Sequence, residues 1–143
     1  MSDGEILLQA SAVAIDGRAL LIDGQPGSGK STLALELIDR GARLIGDDGV
    51  KLSRNGNIII ASPPPNITGL IEIRGVGLAS LPSMSAPLTL GLSLVADTPR
   101  IPESVDRREL LGLEIPWLPM LQSARALPLR AEWALRQHGL ALP

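Results

Sequence analysis

One short segment of the chain has residue types that phosphate chemistry requires. Gly24-Gln25-Pro26-Gly27-Ser28-Gly29-Lys30-Ser31 satisfies G-x-x-x-x-G-K-[ST] at every defined position. Glycines at 24, 27 and 29 let the backbone turn sharply and bring N–H groups onto phosphate oxygens, where a side chain would obstruct the approach. A helix opening at the end of the loop adds partial positive charge aimed at the same anion. Lys30 can reach the β- and γ-phosphates, and the Ser31 hydroxyl is the expected Mg²⁺ ligand. The plain alternative is a glycine-rich turn that merely starts a helix. An apolar run at residues 19–23 before the loop and an amphipathic stretch at 31–40 after it favour the phosphate reading.

Two further segments carry acids. Asp47-Asp48 follows the strand-like residues 43–45, and strand ends are where open α/β sheets hold ligands. Neighbours on an extended backbone point to opposite sides, so separate roles are expected: one carboxylate for a metal, the other for the proton of an attacking hydroxyl. In isolation Asp47-Asp48-Gly49 reads first as a solvated turn, and only its place after the phosphate loop, beyond Lys30, brings the chemical reading level with it. In Leu70-Ile71-Glu72-Ile73-Arg74-Gly75-Val76-Gly77-Leu78, alternation puts Glu72 and Arg74 on one strand face and Ile71 and Ile73 on the other. That describes either an edge strand with a surface ion pair, worth about 0–1 kcal/mol, or a carboxylate and a guanidinium facing phosphate. Alternation alone favours the surface pair.

The surrounding chain supplies short elements to hold these groups. Residues 11–15 and 19–23 flank Asp16-Gly17 and predict a hairpin that leads into the loop. Residues 30–40 predict a helix with Leu33, Leu37 and Ile38 on its apolar face, ended by Gly41. Strands are expected at 43–45, 50–52, 57–61, 70–73 and 88–95, with an Asn55-Gly56 turn. Ser62-Pro63-Pro64-Pro65-Asn66 reads as a stiff loop, and residues 126–137 as a helix whose start Pro128 restricts. The expected fold is therefore α/β and rich in strands.

Composition narrows the function classes. A chain of 143 residues with no internal linker is expected to form one domain over 1–143. Its 13 Lys and Arg against 15 Asp and Glu, without a basic run, argue against a nucleic-acid footprint. With no Cys there is no disulfide framework, thiolate metal site or cysteine nucleophile. Apolar runs fall far short of the ~20 residues of a membrane span, so a soluble, cytoplasmic protein is expected.

The order of the three segments, with Arg43-Leu44-Ile45-Gly46-Asp47-Asp48 in the middle, resembles the catalytic domain of the bacterial HPr kinase/phosphorylase family. Glu72-Ile73-Arg74-Gly75-Val76-Gly77 is similar to that family's signature segment, and the similarity runs from about Leu8 to Arg107. The resemblance implies a phosphoenolpyruvate carboxykinase-like P-loop fold with a mixed, strand-rich sheet and few helices. It also implies an ATP-dependent serine kinase acting on HPr, the small phosphocarrier of the phosphotransferase system, reversed by phosphorolysis to pyrophosphate.

Carried over by position, Asp47 would be the catalytic base and acid, with Lys30 and a loop arginine, Arg107, serving the transferring phosphoryl group. ATP would lie on Gly24, Gln25, Pro26, Gly27, Ser28, Gly29, Lys30, Ser31 and Thr32, and Mg²⁺ near Ser31, Asp48 and Glu72. The family resemblance extends to a homo-oligomer, a hexamer. One departure stands out: the family carries His where this chain has Gln9, which hydrogen-bonds but does not titrate. Gln9 keeps open a kinase with another acceptor, or a nucleotide-binding switch without catalysis.

Overall fold

The computed structural model describes residues 4–66, 68–97 and 105–142. In chain order they form strands β1 (Glu5–Leu8), β2 (Ser11–Ile15) and β3 (Arg18–Gly24), helix α1 (Lys30–Asp39), then β4 (Arg43–Gly46), β5 (Val50–Asn55) and β6 (Ile58–Ser62). A hairpin of β7 (Leu70–Ile73) and β8 (Gly77–Ser80) follows, then β9 (Ala86–Val95), β10 (Asp106–Leu110), β11 (Leu113–Leu121) and helix α2 (Leu127–His138). The result is an α/β fold with a mixed, strand-rich sheet and two helices among the described residues.

The main sheet runs β1-β5-β6-β9-β3-β2-β4, with β11 also on β9 and β10 on β11. At its centre β9 runs parallel to β3, up to the Gly24↔Leu94 pair, and parallel to β11, up to Val95↔Leu121. The other pairings are antiparallel, including the β2–β3 hairpin that Asp16-Gly17 predicts.

Two cores explain why β3 reads as a continuous apolar run. Leu20 and Ile22 face a cluster with Leu33, Leu37, Leu90, Leu92, Ala131 and Leu135, which seats both helices. Ala19 and Leu21 face the other cluster, with Ile45, Val50, Leu52, Ile59 and Trp117, under the β5–β6 ribbon. A strand buried on both faces has no solvent side to give it alternation. The phosphate-loop candidate therefore hangs from a strand held on both edges and both faces.

The helix expected at 30–40 is α1, and the one expected at 126–137 is α2, with Pro128 in its first turn where the missing N–H costs nothing. Strands β1, β8, β10 and β11 were not among the expected elements. Strand β10 is a charged edge, and β11 contains Pro116 and Pro119, residues that sequence patterning assigns away from sheet interiors.

Candidate functional site

At the end of β3 the chain closes so tightly that only glycine fits at position 24. A Cβ there would lie 2.5 Å from Ser28 Oγ and 3.1 Å from the Leu94 carbonyl oxygen. Gly27 and Gly29 adopt φ of 82° and 102°, the left-handed region, and an added Cβ at either would meet nothing within 4 Å. Their constraint is conformational, and among the described residues the space beside them is open. Gly29 is the N-cap of α1 but offers no side-chain cap, and no acid sits in the first turn. The first-turn amides are thus left for an outside acceptor. Ser28 Oγ is buried without a hydrogen-bond partner among the described residues, and Lys30 Nζ folds back onto the Gly24 carbonyl at 2.8 Å.

Strand β4 delivers Asp47 to this loop. A Cβ on Gly46 would lie 2.1 Å from the Gly49 carbonyl oxygen, so the chain turns hard directly after the strand. Asp47 Oδ1 accepts hydrogen bonds from Ser31 Oγ at 2.5 Å and Ser11 Oγ at 3.1 Å. Its Oδ2 accepts the backbone N–H of Glu72 at 3.1 Å. One carboxylate therefore joins β2, α1 and β7. Asp48 takes a left-handed φ of 58° and is exposed. The two acids are separated by this turn, not by the strand alternation expected from the sequence.

The expected shared face of Glu72 and Arg74 is overturned. Strand β7 ends at Ile73, where the Val76 N–H returns to the Ile73 carbonyl at 2.9 Å, so Arg74 lies in the hairpin turn. Gly75 is the third residue of that β-turn at φ 80°, the position where a type II turn requires positive φ. Glu72 pairs across the hairpin with Leu78 and is exposed, while Ile71 is buried in the helix-side core. No Glu72–Arg74 ion pair exists among the described residues.

Arg107 sits exposed on β10 opposite Pro116, and no hydrogen bond or ion pair among the described residues joins it to the loop. Its neighbour Arg108 does reach the loop's root: a guanidinium nitrogen lies 3.2 Å from Asp23 Oδ2. Asp23 and Arg108 carried no motif, and only fold adjacency reveals them. Gln9 is exposed between β1 and β2, and His138 is exposed at the end of α2.

Beside the loop, a cleft of about 420 Å³ is lined by Ser28, Gly29, Thr32 and Leu33 on one side and by Ala124 and Leu127 on the other. Among the described residues no three His, Cys, Asp or Glu side chains cluster as a preformed metal site. The oxygen donors that meet at the loop are Ser31 Oγ and the Asp47 carboxylate, hard ligands of the kind that could hold Mg²⁺. No helix among the described residues is long and apolar enough to cross a membrane.

The chain is similar to known proteins over this same arrangement. Residues 4–101 match the family described as HPr Serine kinase C-terminal domain. An HPr kinase/phosphorylase of Clostridium tetani is 41% identical over 93 residues, covering 65% of this chain and 29% of that protein. One from Alkaliphilus metalliredigens is 32% identical over 148 residues, covering 93% and 48%. The chain thus aligns with less than half the length of these relatives. A solved structure, the Hpr(Ser) kinase/phosphatase from Coxiella burnetii, superposes with TM-score 0.82 at 31% identity, covering 93% of this chain and 90% of that one. Together with the loop geometry, the match over residues 4–101 means that this chain belongs to the HPr serine kinase C-terminal domain family.

Proposed function

We propose that the chain is a P-loop, phosphoenolpyruvate carboxykinase-like kinase domain spanning 1–143, which transfers a phosphoryl group from ATP to a serine of an HPr-type carrier. The carrying observation is Asp47, hydrogen-bonded at once to the Ser31 hydroxyl of the loop and to the Glu72 amide of the signature hairpin. The open space over Gly27 and Gly29 and the uncapped α1 terminus support seating of the phosphates. Asp47 meets α1 at Ser31, whereas the cleft opens beside Thr32 and Leu127, so the γ-phosphate would face Asp47 and the nucleoside would enter the cleft.

Mg²⁺, held by Ser31 with Asp47, Asp48 or Glu72 nearby, would supply charge neutralisation for the phosphates. Asp47 would take the proton of the acceptor serine as its oxygen bonds to the γ-phosphorus and the bond to ADP breaks. Lys30 would swing from the Gly24 carbonyl onto the phosphates, with Arg107 serving the transferring group. With inorganic phosphate in place of ADP as nucleophile, its oxygen would bond to the phosphoserine phosphorus as the serine O–P bond breaks, releasing pyrophosphate, and the serine oxygen would recover its proton from Asp47. A cytoplasmic setting and a homo-oligomer belong to this reading.

The test is transfer of labelled phosphate from ATP to a purified HPr-type carrier. Transfer that is lost in Lys30→Ala and Asp47→Ala supports the reading. Tight Mg-ATP binding without transfer to any such carrier overturns it.

A further inference from the structure

The residue immediately before the phosphate loop is an acid. Asp23 Oδ1 accepts the Gly24 N–H at 2.8 Å, and Oδ2 receives Arg108 from the edge strand β10 at 3.2 Å. A carboxylate at that place repels a polyphosphate unless its charge is offset.

Arg108 is held in position to offset it. Its guanidinium lies 3.9 Å from the centroid of the Trp117 ring, and a second nitrogen is 3.5 Å from Ser93 Oγ. The Trp117 indole N–H donates to the same Ser93 Oγ at 2.8 Å, and the ring packs on Gly91, where a Cβ would come within 2.3 Å. The stack on a buried, hydrogen-bonded indole holds the guanidinium plane in place beside Asp23. With side chains 45% and 40% exposed, the Arg108–Asp23 pair contributes little to folding. Its consequence falls on the loop.

We propose that Arg108 is a positioning residue for the phosphate site. It neutralises Asp23, keeps that carboxylate on the Gly24 amide, and so makes polyphosphate binding depend on β10 staying docked. The proposal rests on the nucleotide reading above.

Mg-ATP binding by calorimetry on the wild-type chain, Arg108→Ala, Asp23→Asn and the double variant tests it. Arg108→Ala is expected to bind about three- to fivefold more weakly, as for one partly exposed charge pair. Arg108→Gln, which keeps its stem over Trp117 but loses the charge, should weaken binding alike. Asp23→Asn retains an acceptor for the Gly24 amide and should bind at least as well as wild type. The double variant should return to within about twofold of wild type, because the repelling charge is gone. The Arg108→Ala deficit should also shrink in ~0.5 M salt, where the Debye length is a few ångströms.

A double variant as weak as Arg108→Ala would make Arg108 merely structural and overturn the proposal, as would wild-type affinity in Arg108→Ala. A wild-type chain that binds no Mg-ATP overturns the nucleotide reading, and this proposal with it.

Discussion

Replacing Asp47 by Asn separates the architecture of the site from its chemistry. Asn can present its carbonyl oxygen to the Ser31 and Ser11 hydroxyls, which now donate to Oδ1 at 2.5 and 3.1 Å. Its NH₂ then replaces Oδ2 and faces the Glu72 N–H, donor against donor, where a 3.1 Å bond had been. Hydrogen bonds to a charged group contribute about 1.5–3 kcal/mol and neutral ones about 0.5–1.5. At full weight, losing one bond and neutralising two would cost about 3–6 kcal/mol, but the first is exposed and the others only half-buried, so solvent screening reduces this to about 1–3 kcal/mol. At this chain length that lowers Tm by about 3–9 °C.

The loss should be local as well as global. The β7–β8 hairpin is a separate two-stranded sheet, closed at its base by the 2.7 Å bond from the Leu81 N–H to the Gly69 carbonyl and anchored to the rest of the chain by buried Ile71 and the Glu72–Asp47 bond. Two strands alone are marginal in water. Hydrogen exchange of residues 70–80 should accelerate in Asp47→Asn before the rest of the sheet loosens. Asp48→Asn, at an exposed position, should stay within about 0.5 kcal/mol of wild type. Equal Tm and equal hairpin exchange in the two variants would refute the assignment of Asp47 as the clasp between loop and hairpin.

Three further outcomes follow from single contacts. Gly91→Ala drives a Cβ to 2.3 Å from the Trp117 ring and should destabilise by about 1–3 kcal/mol, read as a lower urea midpoint with red-shifted Trp emission. Ser28→Ala removes a buried hydroxyl that lacks a partner, so the unliganded chain should gain up to about 1 kcal/mol in urea unfolding while Mg-ATP affinity falls. Lys30→Met should lower phosphoryl transfer at least about 100-fold with an unchanged circular dichroism spectrum, since among the described residues its ammonium bonds only loop carbonyls.

The parts of the fold legible in the sequence were those with local causes. Residues 24–31 announce themselves because φ and close approach demand glycine, and α1 because Leu33 and Leu37 recur at helical spacing. The hidden parts depend on distant partners. Arg74 reads as a strand residue, but the turn at Gly75 takes it out of β7, and the opposite-sided arrangement expected of Asp47 and Asp48 on extended backbone gives way to the left-handed φ at Asp48. Strand β11 is a strand because β9 and β10 pair with it on either side, despite its two prolines. The Asp23–Arg108 pair spans 85 residues, so no window of sequence could place the two together.

The central position of β9 has a consequence for how the chain can be cut. The family match stops at residue 101, yet β9 takes its parallel partner β11 from residues 113–121. The helix-side core likewise takes Ala131 and Leu135 from α2. A fragment trimmed to the matched stretch would bare the β9 edge from Gly91 to Val95, a ready template for intermolecular pairing. During synthesis the same edge stays open until the last third of the chain emerges, a window in which nascent chains are exposed to aggregation. For expression, the unit to keep together extends through α2, beyond the stretch that resembles its relatives most closely.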